Sequence, residues 1–446
     1  MKKRIACITE YATVFAEASR TSAGTGAAYV SELVSQLAES GWEVDVFTHL
    51  TDNAQSRIRL VNSGIRVIYI AAGAVEPNAI DDRIDYLEGL SNGVAAFIAE
   101  ERTKYDLIHS NSYIGGLVAI ELKKRLKIPF TFTFHELGEL LAGQDEQEVV
   151  SAERVKAERQ IAKRADVLIV QCPQAKADLI QYYNVSPKKT FIVPAGFNPA
   201  KFFPINKVEA REILNLDAGE KILLQIGSLE GQKGIDNVIK SMALLDAKAQ
   251  HIRLIILGAG EVNGMTNTPQ ELERLKFMAE SLGLAKQISF AASTEQDKLK
   301  YYYAAADLFI TTPLVASESI GLLEAMACGT PVIGSELGAI KFAVVEGKTG
   351  FLVPPKSPEV LADRIRLVIK NEALLAQMSR NSVRHANSSF TWEKVARQML
   401  DLYEYVLLSK KHKDRILKPF STKFVNQAIP LRNAYLKRNL QVKYSN

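Results

Sequence analysis

The feature that most restricts the fold is an alternation running almost from end to end. Apolar runs of four to seven residues recur as RIACIT, EVDVFTH, IRVIYIA, DLIHS, PFTFTFH and DVLIVQC, then as ILLQIGS, IRLIILG, ISFAA, DLFITT and PVIGS. Between them, stretches such as AYVSELVSQLAES and ERVKAERQIAKRA space their apolar residues three or four apart, the helical repeat. A short run that is apolar throughout fits a strand covered on both faces. Alternating with helices, such strands specify βα units and parallel sheets.

The series starts twice. KTFIVPAGFNPAKFFPINKVEAREILNL interrupts it with Pro194, Gly196, Pro199 and Pro204, and ILLQIGSLEGQKG opens a second strand series. A chain of 446 residues also exceeds one ordinary core. The expectation is α/β, two doubly wound Rossmann-like domains facing a central cleft, residues 1–195 and 196–389. FTWEKVARQMLDLYEYVLL reads as a closing helix over 390–408, expected to return to the N-terminal domain. Open α/β sheets bind ligands at the carboxyl ends of their strands, so the cleft is the default site.

Residues 409–446 form a tail interrupted by Pro419 and Pro430. It carries ten Lys or Arg against Asp414; the chain's +5 therefore divides into +9 on the tail and −4 on the body. Such a tail suits an anionic membrane surface or an acidic partner, and equally a solvated extension. A hydrophobic fraction of 47%, a charged fraction of 24% and a mean hydropathy of −0.02 describe a soluble globular chain. No run approaches the roughly 18–20 apolar residues of a spanning helix. MKKRIACITEY has too short an apolar stretch for a signal peptide and reads as a first strand. Cys7, Cys172 and Cys328 lack metal-ligand spacing and read as buried thiols of a reducing cytoplasm. The expected location is cytoplasmic, with the tail allowing a peripheral membrane position. No metal and no nucleic-acid partner are expected.

Four stretches hold candidate chemistry. SAGTGAAYVSEL imitates a dinucleotide fingerprint with Gly24, Gly26 and Ala28, but the preceding strand ends near Thr9, too far back for a tight turn. It reads as a Gly-rich loop opening a helix, either a plain loop or a place where backbone N–H groups meet a phosphate or sugar. PFTFTFHELGEL puts His135 at a strand's carboxyl end; His109 in DLIHSNS is a weaker parallel and His49 weaker again. In IGSLEGQKGIDNVIK, Lys233 stands just before a helix, unfavourable for the helix dipole unless an anion such as a diphosphate lies between them. In SESIGLLEAMACGTPV, Glu318 and Glu324 are six apart, a turn of about 600°. They face one ligand only if Glu318 belongs to a loop.

Together these residues resemble the retaining family 4 glycosyltransferases of GT-B architecture, in particular the bacterial sucrose-synthase-like and sucrose-phosphate-synthase-like members. The resemblance covers nearly the whole chain, and its most specific parts are YYYAAADLFITTP, LEAMACGTPVIGSELGAIKFAVVEGKTGFLVPP and VPAGFNPAKFFPI. It implies transfer of a hexose from a nucleotide-diphosphate sugar, with retention and without a metal, to a sugar, phosphosugar or lipid acceptor. The nucleotide would sit in the C-terminal domain and the acceptor against the N-terminal one. Position by position, Lys233 matches the lysine that grips the diphosphate and Glu324 the glutamate that holds the ribose. His135 matches the histidine touching the donor sugar, and Gly24 and Gly26 fall in the Gly-rich loop. Ser228, Ser319, Gly321 and Leu322 complete the donor-side positions, with His135, Lys233 and Glu318 as the catalytic set.

Three departures accompany the match. Ser228 stands where the family usually has Arg, and losing one preorganised donor costs about 10²- to 10³-fold in rate. The loop reads GTGA where relatives usually show adjacent glycines and a polar residue. The family's two glutamates are eight apart. Without gaps the first one's place falls on Ala316 and its glycine's place on Ser319; with gaps, ESIG keeps the motif and two residues vanish. Both alignments stand at this stage, and with them a rival reading: a catalytically silent paralogue that binds nucleotide or sugar as a regulatory or scaffolding subunit.

Overall fold

A computed structural model of the protein describes residues 2–9, 15, 20–50, 56–72, 80–141, 152–229, 231–245, 251–258, 269–291, 296–315 and 320–411. The first sheet contains β1 (Arg4–Ile8), β2 (Glu43–His49), β3 (Ile58–Asn62), β4 (Ile65–Ile70), β5 (Leu107–Ser110), β6 (Phe130–Phe134), β7 (Val167–Val170) and β8 (Thr190–Ile192). Its spatial order is 3-4-2-1-5-6-7-8. The second contains β9 (Lys221–Ile226), β10 (Ile252–Leu257), β11 (Ile288–Ala291), β12 (Leu308–Thr311), β13 (Val332–Ser335) and β14 (Gly350–Val353), in the order 11-10-9-12-13-14. All pairings are parallel except β3 with β4.

The strands expected from apolar runs are all present. Three others were not foreseen. β3 is the antiparallel edge, and every one of its residues is at least partly exposed, so it lacks the apolar run that marks its neighbours. β8 and β14 are only three and four residues long; β8 borders the proline-rich segment that read as a break, and β14 runs directly into Pro354 and Pro355.

Each sheet is covered on both faces. On one face of the first, Tyr29, Val30, Leu33, Val34 and Leu37 of the helix Arg20–Glu39 form a core with Trp392, Val395, Met399 and Tyr403 of the helix Trp392–Lys411. The last described helix therefore packs on the first sheet although it follows the second in sequence. Its entry is fixed by backbone pairing: Phe197 N–H donates to Phe390 O at 2.9 Å, and Trp392 N–H to Phe197 O at 3.0 Å. Ile320, from the second half of the chain, joins the same core. Polar bridges add to this: Glu32 accepts from Lys201 Nζ at 2.8 Å and from Asn198 Nδ2 at 3.3 Å, and Gln174 Oε1 accepts from Gly338 N–H at 2.9 Å.

His109, at the end of β5, is part of this interior and not of the cleft. Its Nδ1 meets Tyr403 Oη at 2.8 Å and Thr131 Oγ1 at 3.0 Å; its Nε2 meets Asn111 Oδ1 at 3.0 Å. Burial lowers its pKa from 6.5 to about 4, so the ring is a neutral tie between sheet and closing helix. Cys7, Cys172 and Cys328 are buried and free, and burial pushes the Cys7 and Cys328 thiols up to about 12. Among the described residues, no helix is long and apolar enough to cross a membrane.

Candidate active site

Strand order reverses between β9 and its neighbours β10 and β12, which places the second sheet's switch point at the carboxyl ends of β9 and β12. The chain there is built from glycine for identifiable reasons. Gly227 and Gly258 follow β9 and β10 with φ of +146° and +116°, and a Cβ on Gly258 would lie 2.1 Å from Gly227 O. Bare backbone therefore forms the carboxyl ends of these two strands.

Lys233 closes the short 3₁₀ turn Gly231–Lys233 that follows β9. The turn is tied to its surroundings by Gln225 Nε2, which donates to Lys233 O at 3.3 Å, by Leu314 N–H to Gln232 O at 2.8 Å, and by Thr312 Oγ1 to Gly234 O at 3.1 Å. Gly234 has φ +71° and begins the helix Ile235–Leu244 with no side-chain cap. The first N–H groups of that helix are thus left for another acceptor. Among the described residues, Lys233 forms no ion pair. A lone ammonium beside an uncapped helix start is an arrangement that an anion completes. Ser228 lies half-buried in the loop after β9.

Glu324 is the fifth residue of the helix Ile320–Ala327, only 2% exposed, and Tyr303 Oη donates to its Oε2 at 3.1 Å. Leu322 is packed into the core beside it, so only its backbone is available to a ligand. Gly321 faces the Tyr303 hydroxyl, 3.3 Å from where a Cβ would stand. Ala316, Glu318 and Ser319 lie outside the described residues.

Gly24 and Gly26 are not in a loop. The helix Arg20–Glu39 begins before both, so the expected Gly-rich opening is helical. Two glycines cost roughly 1 kcal/mol each in a helix, but the face running through Tyr29, Leu33 and Leu37 buries enough apolar surface to override that.

The first sheet supplies a second recess. His135 follows β6; Gln171 Nε2 lies 3.0 Å from its Nδ1, and Tyr29 stands edge-on with ring centroids 4.7 Å apart. Beside it lies a pocket of about 170 Å³ at the carboxyl ends of β5 and β6, lined by Asn111, Ser112, Thr133, His135, Glu136 and Arg154 among others. Below, Glu158 is 2% exposed and accepts from Arg154 Nε at 2.9 Å, from Gly138 N–H at 2.9 Å and from the Tyr183 hydroxyl. Burial works to lower the Arg154 pKa, and the Glu158 contact reverses this and leaves it raised. Burial, with Glu158 as neighbour, pushes the Tyr183 phenol up.

Sequence reading missed Glu136, Arg154 and Glu158. The available signal was the i,i+4 spacing of Arg154 and Glu158 in ERVKAERQ. Among the described residues, no group of three His, Cys, Asp or Glu side chains is placed to hold a metal.

Comparison with known proteins accounts for both halves. Residues 206–385 match the family described as Glycosyl transferases group 1, and residues 24–196 the Glycosyl transferase 4-like domain. The chain is 32% identical over 411 residues to a D-inositol 3-phosphate glycosyltransferase of Corynebacterium jeikeium, covering 90% of this chain and 96% of that one. Its structure is similar to a sucrose-phosphate synthase from Thermosynechococcus elongatus, with 29% identity and a TM-score of 0.83, covering 92% of this chain and 100% of that one. An Anabaena protein in complex with UDP-glucose shares the fold at 18% identity and a TM-score of 0.72, covering 90% of this chain and 99% of that one. The chain, built on two Rossmann-like α/β domains, belongs to the family 4 glycosyltransferases of GT-B architecture and is a transferase.

Proposed function

We propose that the protein transfers a hexose from a UDP-sugar, with retention at the anomeric carbon, to a hydroxyl held in the N-terminal pocket. The observation that carries this reading is Lys233: an ammonium without an ion-pair partner among the described residues, clamped at the second sheet's switch point beside an uncapped helix start. The leaving diphosphate accumulates negative charge as the glycosidic bond breaks. Lys233 and the first N–H groups of the helix Ile235–Leu244 would stabilise that charge without a metal. Glu324 would hold the ribose and His135 the hexose. Uridine as the base draws on the UDP-glucose of the Anabaena complex, and a sugar or polyol acceptor on the names of the relatives.

The test is calorimetric titration of UDP and UDP-glucose in EDTA, followed by donor turnover and NMR of the product anomer. Lys233→Ala should weaken UDP binding by about tenfold or more and lower turnover by about 10²- to 10³-fold. Unchanged UDP affinity in that variant would refute the diphosphate role, and an inverted anomer would refute retention. Ser228 supports a second reading, in which the chain holds nucleotide but does not cleave the donor. UDP binding with no sugar release under any acceptor would establish that reading instead. Liposome flotation of full-length and 1–408 protein tests the tail: loss of binding to anionic vesicles on truncation is the expected result.

A further inference from the structure

The turn QCPQ, Gln171 to Gln174, leaves the carboxyl end of β7 and reaches both His135 and the second domain. Phe134 of β6 is in register with Val170 of β7, so the residues that follow, His135 and Gln171, leave the sheet side by side. One end of the Gln171 amide meets the ring, with Nε2 3.0 Å from His135 Nδ1. The other end, Oε1, is buried and makes no hydrogen bond among the described residues. Gln171 as a whole is 5% exposed. Tyr29, itself buried, stands edge-on to the same histidine ring.

The backbone that carries Gln171 has little freedom. Pro173 fixes its own φ at the start of the helix Pro173–Tyr183, and Cys172 Sγ accepts from Ala175 N–H at 3.4 Å to cap that helix. Gln174 Oε1 accepts from Gly338 N–H at 2.9 Å and ties the same turn to the second domain. A glutamine at position 171 is poorly suited to packing alone. A buried amide oxygen without a partner is destabilising, and an apolar side chain of similar length would avoid that. What the amide gains is its contact with His135. A hydrogen bond at Nδ1 selects one of the two broad settings of the ring about its second torsion, and so fixes which way Nε2 faces.

We propose that Gln171 is a positioning residue for sugar transfer: it holds the His135 ring in the setting that meets the donor hexose, and it acts through that ring rather than on the substrate. The proposal rests on the reading of the cleft above, in which His135 touches the hexose. A ring released from Gln171 leaves the productive setting, and a misplacement of about 1 Å costs up to about 10²-fold in rate. The nucleotide, assigned to Lys233 and Glu324, does not depend on Gln171.

The experiment is a double-mutant cycle on the full chain. Gln171→Met keeps the length of the side chain and removes the amide. Gln171→Asn, polar but one methylene shorter, takes its place if Gln171→Met does not fold. Each is combined with His135→Ala, and UDP affinity, UDP-glucose affinity and donor turnover are measured throughout. With His135 present, the Gln171 variant should lower kcat by about 10- to 100-fold and leave UDP affinity unchanged. In the His135→Ala background the same substitution should change kcat by less than about twofold. A glutamine that served only the fold would lower turnover in both backgrounds and take UDP affinity and melting temperature down with it. That pattern, or native kcat in the Gln171 variant, overturns the proposal. If the protein binds the donor without cleaving it, the ratio of UDP-glucose to UDP affinity replaces kcat, with an expected loss of about two- to tenfold that disappears in His135→Ala. UDP binding with a Gln171 effect that persists without His135 overturns the proposal and leaves the reading of the cleft standing. A native protein that binds no UDP removes that reading and the proposal with it.

Discussion

Gly234 offers the sharpest test of how the donor edge is built. It has φ +71°, and a Cβ there would stand 1.8 Å from the backbone oxygen of Thr312. Neither partner in that clash has a rotamer with which to escape. Gly234→Ala therefore has two costs. The left-handed conformation alone costs an L-residue about 1–2 kcal/mol. Relieving the clash also breaks the turn's anchors, the Thr312 Oγ1 bond to Gly234 O and the Leu314 N–H bond to Gln232 O, at about 1 kcal/mol each. The total is about 3–4 kcal/mol, or roughly 10 °C in the melting of a domain of this size. Gly347 supplies the control, since it has the same φ of +71° with nothing within 4 Å of its would-be Cβ. Gly347→Ala should lose only the conformational part, about 1–2 kcal/mol, and leave UDP affinity intact. Calorimetry and UDP titration of both variants separate the effects. Equal melting shifts in the two, or native UDP affinity in Gly234→Ala, would refute the clamped-turn argument.

His109 should give the protein an acid-sensitive component. Its folded pKa of about 4 lies below the ordinary 6.5, so the unfolded chain binds the extra proton. Stability from this group is complete above the unfolded value and falls by about 3 kcal/mol as pH drops toward 4. The melting temperature of His109→Gln should fall less steeply across that window, and an unchanged slope would remove His109 as the cause. Trp392→Ala should cost about 3–5 kcal/mol and accelerate hydrogen exchange in β1 and β2; loss of protection confined to the second domain would contradict its packing against Tyr29. Ser228→Arg should raise UDP-glucose turnover by about tenfold, and no gain over native would mean that Ser228 does not limit the rate.

Much of the architecture was legible because buried parallel strands write themselves as apolar runs. β6 is FTFTF and β7 is VLIV, each wholly buried. β3 escaped because an exposed edge strand needs no such run, and β8 because TFI runs straight into a proline segment. Gly24 and Gly26 misled because glycine marks loops only where local propensity decides; here tertiary burial of Tyr29 and Leu33 decides. Lys233 was identifiable from its place before a helix. The Gly227–Gly258 approach was not, because it depends on two dihedral angles and a contact 31 residues apart in the chain. Glu136 and Arg154 were likewise invisible as a pair, since the loop that brings them together is fixed by Glu158 and Tyr183.

The closing helix also sets the order in which the protein can be completed. Trp392, Met399 and Tyr403 finish a core whose other walls are β1, β2 and the helix Arg20–Glu39. During synthesis, the first half must therefore wait with one apolar face uncovered until nearly 200 further residues have emerged. A fragment ending after β8 would expose that same face, so the core of the first sheet is discontinuous in sequence and needs Trp392–Lys411 to complete it.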